Sequence, residues 1–359
     1  MSLNSPIKVT FILPTLFAGG SERIFSFLAQ NIDKDRFETT LLVIGKSSDA
    51  AYDIKGIKVV FLEKLRVLNG IPALYSYLRS SKPDIVLSVI GHLNTIMAYL
   101  SVFFPKTKFI ARESTVLSVD AEFFNHSKGL NPIALLVKNR FNFFDKIICQ
   151  SQDMLSDLKN GFNVKKDKLV VINNPITEIF EIKNRDFNEN VLKLVTVARF
   201  SKEKGIPRIL EILSKLTIPF HYTLIGMGPE KESIFRLIKD YGLTDKITHI
   251  PFTKDVSKFL KANDLFLQGS YFEGFPNCLI ESCVVGTPVI AFNVPGGTKE
   301  IVVNGINGFL VDDEHSFIKK IEENKIWSPE EIRNSVLNKF NKGKILSEYE
   351  ELFLNILEK

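Results

Sequence analysis

Twice along the chain, short runs rich in β-branched and aromatic residues alternate with segments of helical period. That alternation restricts the fold more than any other feature. The first series of strand-like runs covers residues 7–14, 38–45, 57–62, 84–91, 108–113, 146–151 and 168–174, with helix-like stretches such as 73–80 and 132–141 between most of them. A second series covers 192–199, 222–226, 247–252, 264–269 and 288–292. Strands that alternate with helices build parallel sheets wound on both faces. The expectation is an α/β protein of two consecutive doubly wound, Rossmann-like units. Ligands in such folds bind at the strand carboxyl ends, so the expected site is an interdomain cleft where two sheet ends face each other.

A polar, strand-poor stretch at 173–190 separates the two series and predicts units at 1–175 and 176–340. A terminal helical segment, 341–359, carries apolar residues at 345, 346, 353 and 354. The full 359 residues suffice for two cores of ordinary size. Cys149, Cys278 and Cys283 lie inside apolar runs, which favours buried reduced thiols over a disulfide or a metal site. With neither a signal-peptide pattern nor an apolar run long enough to span a bilayer, the expected location is cytoplasmic. Charge is uneven: residues 1–175 hold 22 basic and 15 acidic side chains, a net +7, against −2 for the remainder. A basic first half suits an anionic partner such as a membrane surface or a diphosphate-linked acceptor; scattered surface lysines would give the same count.

The most informative stretch is Tyr271-Phe-Glu-Gly-Phe-Pro-Asn-Cys-Leu-Ile-Glu281. It follows the strand-like run 264–269 and leads into an apolar segment ending at Gly286, which reads as a helix with its C-terminal stop. Pro276 suits the first helical turn. Glu273 then falls in a strand-to-helix loop, and Glu281 about one turn inside the helix. Both acids can face one pocket into which unpaired helix N–H groups also point. Two acids spaced this way also occur on ordinary solvated surfaces.

Three further segments have the layout of anion sites. At the end of the first strand of the second series, Arg199, Lys202 and Lys204 can converge on a diphosphate, with Arg giving two-pronged geometry. Gly19 and Gly20 stand between a strand and a helix, where glycines expose N–H groups at the positive helix end. Gly226-Met-Gly228 closes another strand. Taken singly, the basic trio could equally be solvated lysines before a helix, and each glycine segment a common turn.

Taken together these strings resemble the retaining glycosyltransferases of family 4, typified by bacterial transferases for polysaccharides and lipid-linked glycans. Glu273 to Glu281 is similar to that family's E-x7-E signature, and Arg199 to Gly205 to its G-R-x5-K-G pattern, with Ala198 where glycine is usual. Gly226 to Glu230, Pro295 to Glu300 and Asn304 to Gly308 match further segments, so the resemblance is dense over 195–311 and thinner at 7–23 and 146–175. It implies the GT-B fold, with an acceptor-binding first domain, a nucleotide-sugar-binding second domain and a last helix that crosses back to the first. It implies a nucleotide diphosphate sugar, most often a UDP-sugar, as co-substrate, with no metal and no other cofactor. Glu281 would take the ribose hydroxyls, and Glu273 with Gly274, Phe275, Pro276 and Asn277 the sugar. Arg199 and Lys204 would anchor the diphosphate, while Gly19, Gly20, Gly226, Phe252 and Leu279 would complete the donor site. No residue is expected to act as a covalent nucleophile.

The sequence departs from the family in one place. Many members carry a histidine after the fifth strand of the acceptor domain, where this chain has Arg112, Glu113 and Ser114. His92, one strand earlier, and Glu113 are the candidates for that side of the chemistry. Aromatic and basic residues interleave between Phe103 and Phe144. A hydrophobic core accounts for most of those phenylalanines; a peripheral contact with an anionic membrane beside a lipid-linked or saccharide acceptor would use the rest. No nucleic-acid motif is present. The competing readings are a UDP-sugar epimerase of the same architecture and a non-catalytic partner subunit that only binds nucleotide-sugar.

Overall fold

The computed structural model describes residues 5–124, 132–184, 191–323 and 325–358. The chain forms two units, Met1–Thr177 with Lys342–Lys359, and Glu178–Asn341.

In the first unit the elements are β1 (Ile7–Leu13), α1 (Gly20–Asn31), β2 (Phe37–Val43), β3 (Lys58–Phe61), α2 (Ile71–Ser81), β4 (Ile85–Val89) and α3 (Gly91–Ser101). Then follow β5 (Lys108–Arg112), α4 (Leu117–Phe123), α5 (Pro132–Asn139), β6 (Lys146–Cys149), α6 (Gln152–Gly161) and β7 (Leu169–Val171). The strands form one parallel sheet in the order β3-β2-β1-β4-β5-β6-β7. Winding reverses between β1 and β4, with Val9 paired to Ile85. Both faces are covered, so the strands are apolar nearly throughout rather than alternating. Val9, Phe11 and Leu13 pack on one face with Phe25 and Leu28 of α1, while Ile12, Leu42 and Val86 pack on the other with α2 and α3.

The last helix belongs to this unit's core. Ile345, Tyr349, Phe353 and Ile356, spaced four, four and three apart, make one stripe of a helix running Lys342–Leu357. The Phe353 ring meets Phe37 edge-on at 5.8 Å and Phe11 at 6.3 Å.

The second unit contains β8 (Leu192–Val197), α7 (Ile206–Lys215), β9 (Phe220–Ile225), α8 (Lys231–Asp240), β10 (Ile247–Ile250), α9 (Val256–Ala262) and β11 (Leu265–Gln268). It continues with α10 (Asn277–Val284), β12 (Val289–Phe292), α11 (Thr298–Ile301), β13 (Gly308–Val311), α12 (Glu314–Glu322) and α13 (Pro329–Leu337); the terminal helix is α14. Its six strands are parallel in the order β10-β9-β8-β11-β12-β13, and winding reverses between β8 and β11. β13 has no counterpart among the sequence-based expectations. It has four residues, opens on glycine, and hides behind a segment that reads as a turn. The asparagines of that segment fix it: Asn304 Oδ1 accepts from the Leu310 amide at 2.7 Å, and Asn307 Nδ2 donates to the Ile301 carbonyl at 2.9 Å.

Candidate functional site

The site is built at the winding reversal of the second sheet, where β8 and β11 are neighbours and their following loops must run side by side. Two glycines permit this. A Cβ on Gly205, whose φ is +57°, would lie 1.9 Å from the Gly269 carbonyl oxygen, and one on Gly269 would lie 2.5 Å from that of Gly205. Without side chains the two backbones touch. The Tyr271 amide then donates to the Glu203 carbonyl at 2.8 Å, and the Arg208 guanidinium donates to the Gly269 and Ser270 carbonyls. Arg208 also lies over the Tyr271 ring at 4.2 Å, and burial lowers its pKa to about 10. Nothing in the sequence singles out this staple, because an arginine on the first turn of an amphipathic helix normally faces water.

The contact delivers Lys204 to Glu273. Lys204 Nζ donates to both carboxylate oxygens at 2.8 Å, and Ser270 Oγ donates to Oε1 at 2.6 Å. The two charged side chains are 24% and 9% exposed. Burial alone would lower the Lys204 pKa, but the Glu273 carboxylate more than offsets it and holds the ammonium above the ordinary lysine value. Arg199, just past β8, is exposed and makes no side-chain hydrogen bond or ion pair among the described residues. Glu281 lies half-buried on α10, on the fifth residue of the helix. Between the two acids in sequence, the Cys278 thiol is pushed up to about 12 by burial first, then by Glu273 and Glu281, with Lys204 opposing.

The remaining donor-side candidates have different surroundings. Pro276 is extended and immediately precedes α10 instead of sitting in its first turn, so Asn277 opens the helix. Gly274 is buried, and its carbonyl accepts from Gly297 at 3.0 Å, while the Glu273 amide donates to Pro295 at 3.0 Å. Phe275 packs edge-on against Phe340 at 5.3 Å, and Leu279 is fully buried, so those two side chains belong to the core beneath the loop. Gly226, with φ +144°, presses on β8's loop, since a Cβ there would fall 1.9 Å from the Ala198 carbonyl oxygen. Its carbonyl is 2.9 Å from His249 Nε2, and the His249 ring lies between Phe200 and Phe235 at 5.4 and 4.9 Å. Sequence reasoning passed over His249, a strand residue with no motif around it. Phe252, past β10, is exposed.

The first unit holds the other candidates. Gly19 precedes α1 and Gly20 begins it. The chain's own Glu22 carboxylate lies where a Gly19 side chain would be, with burial raising its pKa. His92 is exposed on the first turn of α3. It follows Ile90, whose φ of +72° is an outlier for a β-branched residue. Glu113 is sealed. Its Oε1 accepts from Arg140 and from Asn94 Nδ2, both at 3.1 Å, and its carbonyl accepts from Gln150 at 2.7 Å. Arg112, the neighbouring residue at the same departure from the family, is also buried. It donates through Nε to the Tyr349 hydroxyl at 3.0 Å and through a terminal nitrogen to Asn174 Oδ1. This pair of residues thus ties the sheet end to α14 and to α5's following turn.

Among the described residues no group of three His, Cys, Asp or Glu side chains is arranged to hold a metal ion, and no helix is long and apolar enough to cross a membrane.

Comparison with known proteins follows the same division. Residues 18–178 match the family described as Glycosyltransferase Family 4, and residues 177–332 the family described as Glycosyl transferases group 1. The chain is 24% identical over 348 residues to the N-acetylgalactosamine-N,N'-diacetylbacillosaminyl-diphospho-undecaprenol 4-alpha-N-acetylgalactosaminyltransferase of Campylobacter jejuni, covering 92% of this chain and 93% of that one. Among solved structures it is similar to the lipopolysaccharide outer core galactosyltransferase WaaB, with a TM-score of 0.77 at 16% identity over 97% of this chain and 99% of that chain. It is also similar to Anabaena HepE in complex with UDP, with a TM-score of 0.76 at 18% identity over 97% and 100%. These structural likenesses establish the GT-B fold.

Proposed function

Because the chain belongs to the glycosyltransferases that join a family 4 half to a group 1 half, we propose that it transfers a sugar from a UDP-sugar to a lipid-linked or saccharide acceptor in cell-surface glycan synthesis, with retention of configuration. The observation that carries this reading is the meeting of Lys204, Glu273 and Ser270 at the β8/β11 strand ends, where the loop after β8 also carries the exposed Arg199.

Each group has chemistry that fits. Arg199 and Lys204 supply positive charge for the diphosphate as it departs, which is where transition-state charge develops, so no metal is needed for that task. Glu273 accepts hydroxyl donors and fixes a polyol, with the N-terminus of α10 nearby; Glu281 does the same for the ribose. Phe252 and Met227, both exposed past adjacent strands, offer apolar surface to the base. The rival epimerase draws no support from relatives named as transferases. The non-catalytic alternative has no motivation from a site whose cations and acids are all present.

The C. jejuni relative's name specifies an undecaprenol-linked diphosphate acceptor, which suggests one here. In support, the first unit exposes Val102, Phe103, Leu136 and Phe143 with Lys106 and Lys138. Tyr99 links part of that surface, its ring 5.0 Å from Phe143 and its hydroxyl donating to the Leu136 carbonyl. Apolar rings flanked by lysines suit peripheral contact with the cytoplasmic face of an anionic membrane.

The test is incubation with a panel of UDP-hexoses and UDP-N-acetylhexosamines, with and without undecaprenyl-diphosphate-linked saccharide. Glycosylated lipid with retained anomeric configuration is expected, and only when donor and acceptor are both present. Absence of both UDP binding and transfer from every donor would overturn the reading. Flotation with anionic liposomes should weaken as salt rises; salt-independent flotation, or none, removes the membrane contact.

A further inference from the structure

We propose that Glu273 and Lys204 form a lock that couples nucleotide affinity to the presence of the sugar: Lys204 passes to the donor's diphosphate only when sugar hydroxyls replace it on Glu273. The inference rests on the reading of this site as a nucleotide-sugar site.

The geometry leaves little alternative for the carboxylate. Glu273 is almost out of water, and the side-chain donors the structure gives it are Lys204, on both oxygens, and Ser270, on one. Its backbone is pinned by the hydrogen bond from its amide to Pro295. The backbone of Lys204 is pinned too, because Gly205 abuts Gly269. The movable part is the lysine's four-carbon stem, which can swing its ammonium from one anion to another. Arg199 has no comparable tie and is available to a phosphate from the start.

A bare nucleotide diphosphate that takes Lys204 leaves Glu273 as a buried anion with one hydroxyl donor. A buried charge stripped of its partner is strongly unfavourable, so the nucleotide must compete with Glu273 for the ammonium. A nucleotide-sugar brings replacement donors in the same event, since each hydroxyl can donate to a carboxylate oxygen. Once the sugar is transferred those donors leave with it. Glu273 then recaptures Lys204, and the diphosphate product is released from a weakened grip. Coupling of this sort is reciprocal, so filling the sugar pocket must raise diphosphate affinity by the same factor. Ser270 is a positioning residue here, because its hydrogen bond holds Oε1 and sets how much Glu273 depends on the lysine.

Calorimetric titration of the full chain with UDP tests the lock. Glu273→Gln keeps the shape, removes the charge and frees Lys204, so UDP should bind roughly ten-fold tighter, the scale of one charged hydrogen bond. Ser270→Ala leaves both charges in place and makes Glu273 lean harder on Lys204, so UDP should bind about two- to three-fold more weakly. The decisive readout is the double substitution: in a Lys204→Ala background, Glu273→Gln should no longer tighten UDP. If Glu273→Gln leaves UDP affinity unchanged or weaker while Lys204→Ala still diminishes it, the lock is wrong and the nucleotide site stands. The lock is equally excluded if the gain persists without Lys204, since that would be plain repulsion between two anions. Failure of the unaltered protein to bind UDP sinks the lock and the nucleotide-sugar reading together.

Discussion

Among the described residues each unit of this protein carries an acid–base pair at the carboxyl end of its parallel sheet, sealed in the first unit and half-buried in the second. In the first unit Arg140 meets Glu113 at 3.1 Å with side chains 2% and 1% exposed. Asn94 shares the same carboxylate oxygen, and Ser88 donates in turn to Asn94 at 2.8 Å. In the second unit Lys204 meets Glu273 at 2.8 Å with more than ten times the exposure on the cation. An arginine in a closed polar network is a fixed part; a lysine on a flexible stem beside an open strand end can change partners. A charge near a strand end is thus not evidence of chemistry until its exposure and its other partners are known.

The sharpest way to break the comparison is Glu113→Ala. Leaving the Arg140 charge unpaired in a sealed site should cost the first unit about 3–5 kcal/mol, measured by urea unfolding, with UDP affinity of the folded protein unchanged. A loss of UDP binding at intact stability would instead place Glu113 at the reaction. Next, Lys204→Ala should weaken UDP-sugar binding by about 1.5–3 kcal/mol in calorimetry, and binding of UDP alone by less; unchanged UDP-sugar affinity would make the second pair as structural as the first. Tyr349→Phe removes the hydroxyl that Arg112 Nε uses and should lower stability by about 1–2 kcal/mol while sparing UDP binding. An effect on nucleotide affinity would show that the α14 tie reaches the donor side. The smallest expected change is in the stability of Arg199→Ala, within about 0.5 kcal/mol because the side chain is exposed, even as UDP affinity falls. A stability loss well beyond that would reveal a partner for Arg199 and erase its contrast with Lys204.

Much of the fold was legible because buried parallel strands are uninterrupted apolar runs, a signal that survives without any knowledge of neighbours. β13 escaped because four residues opening on glycine carry no periodicity. At the candidate site, spacing and charge next to strand ends pointed to Glu273, Lys204, Arg199 and Glu281, and of these the structure pairs Lys204 with Glu273. Phe275 and Leu279, in the same string, turned out to pack inward, since a motif letter does not say which side of a loop its side chain takes. Arg208, Ser270 and His249 were invisible for the converse reason: their work is done on carbonyls and carboxylates supplied by other parts of the unit.

What the sequence determined by itself was therefore local and periodic: two series of strands and helices, the positions of the loops that follow them, and the charged residues those loops carry. Only the tertiary structure decided which charges are sealed in polar networks and which stay partly open to water. That distinction depends on exclusion of water and on the count of hydrogen-bond partners around each group. Both are set by residues far away in the chain, such as Gly269 beside Gly205 and Tyr349 beside Arg112.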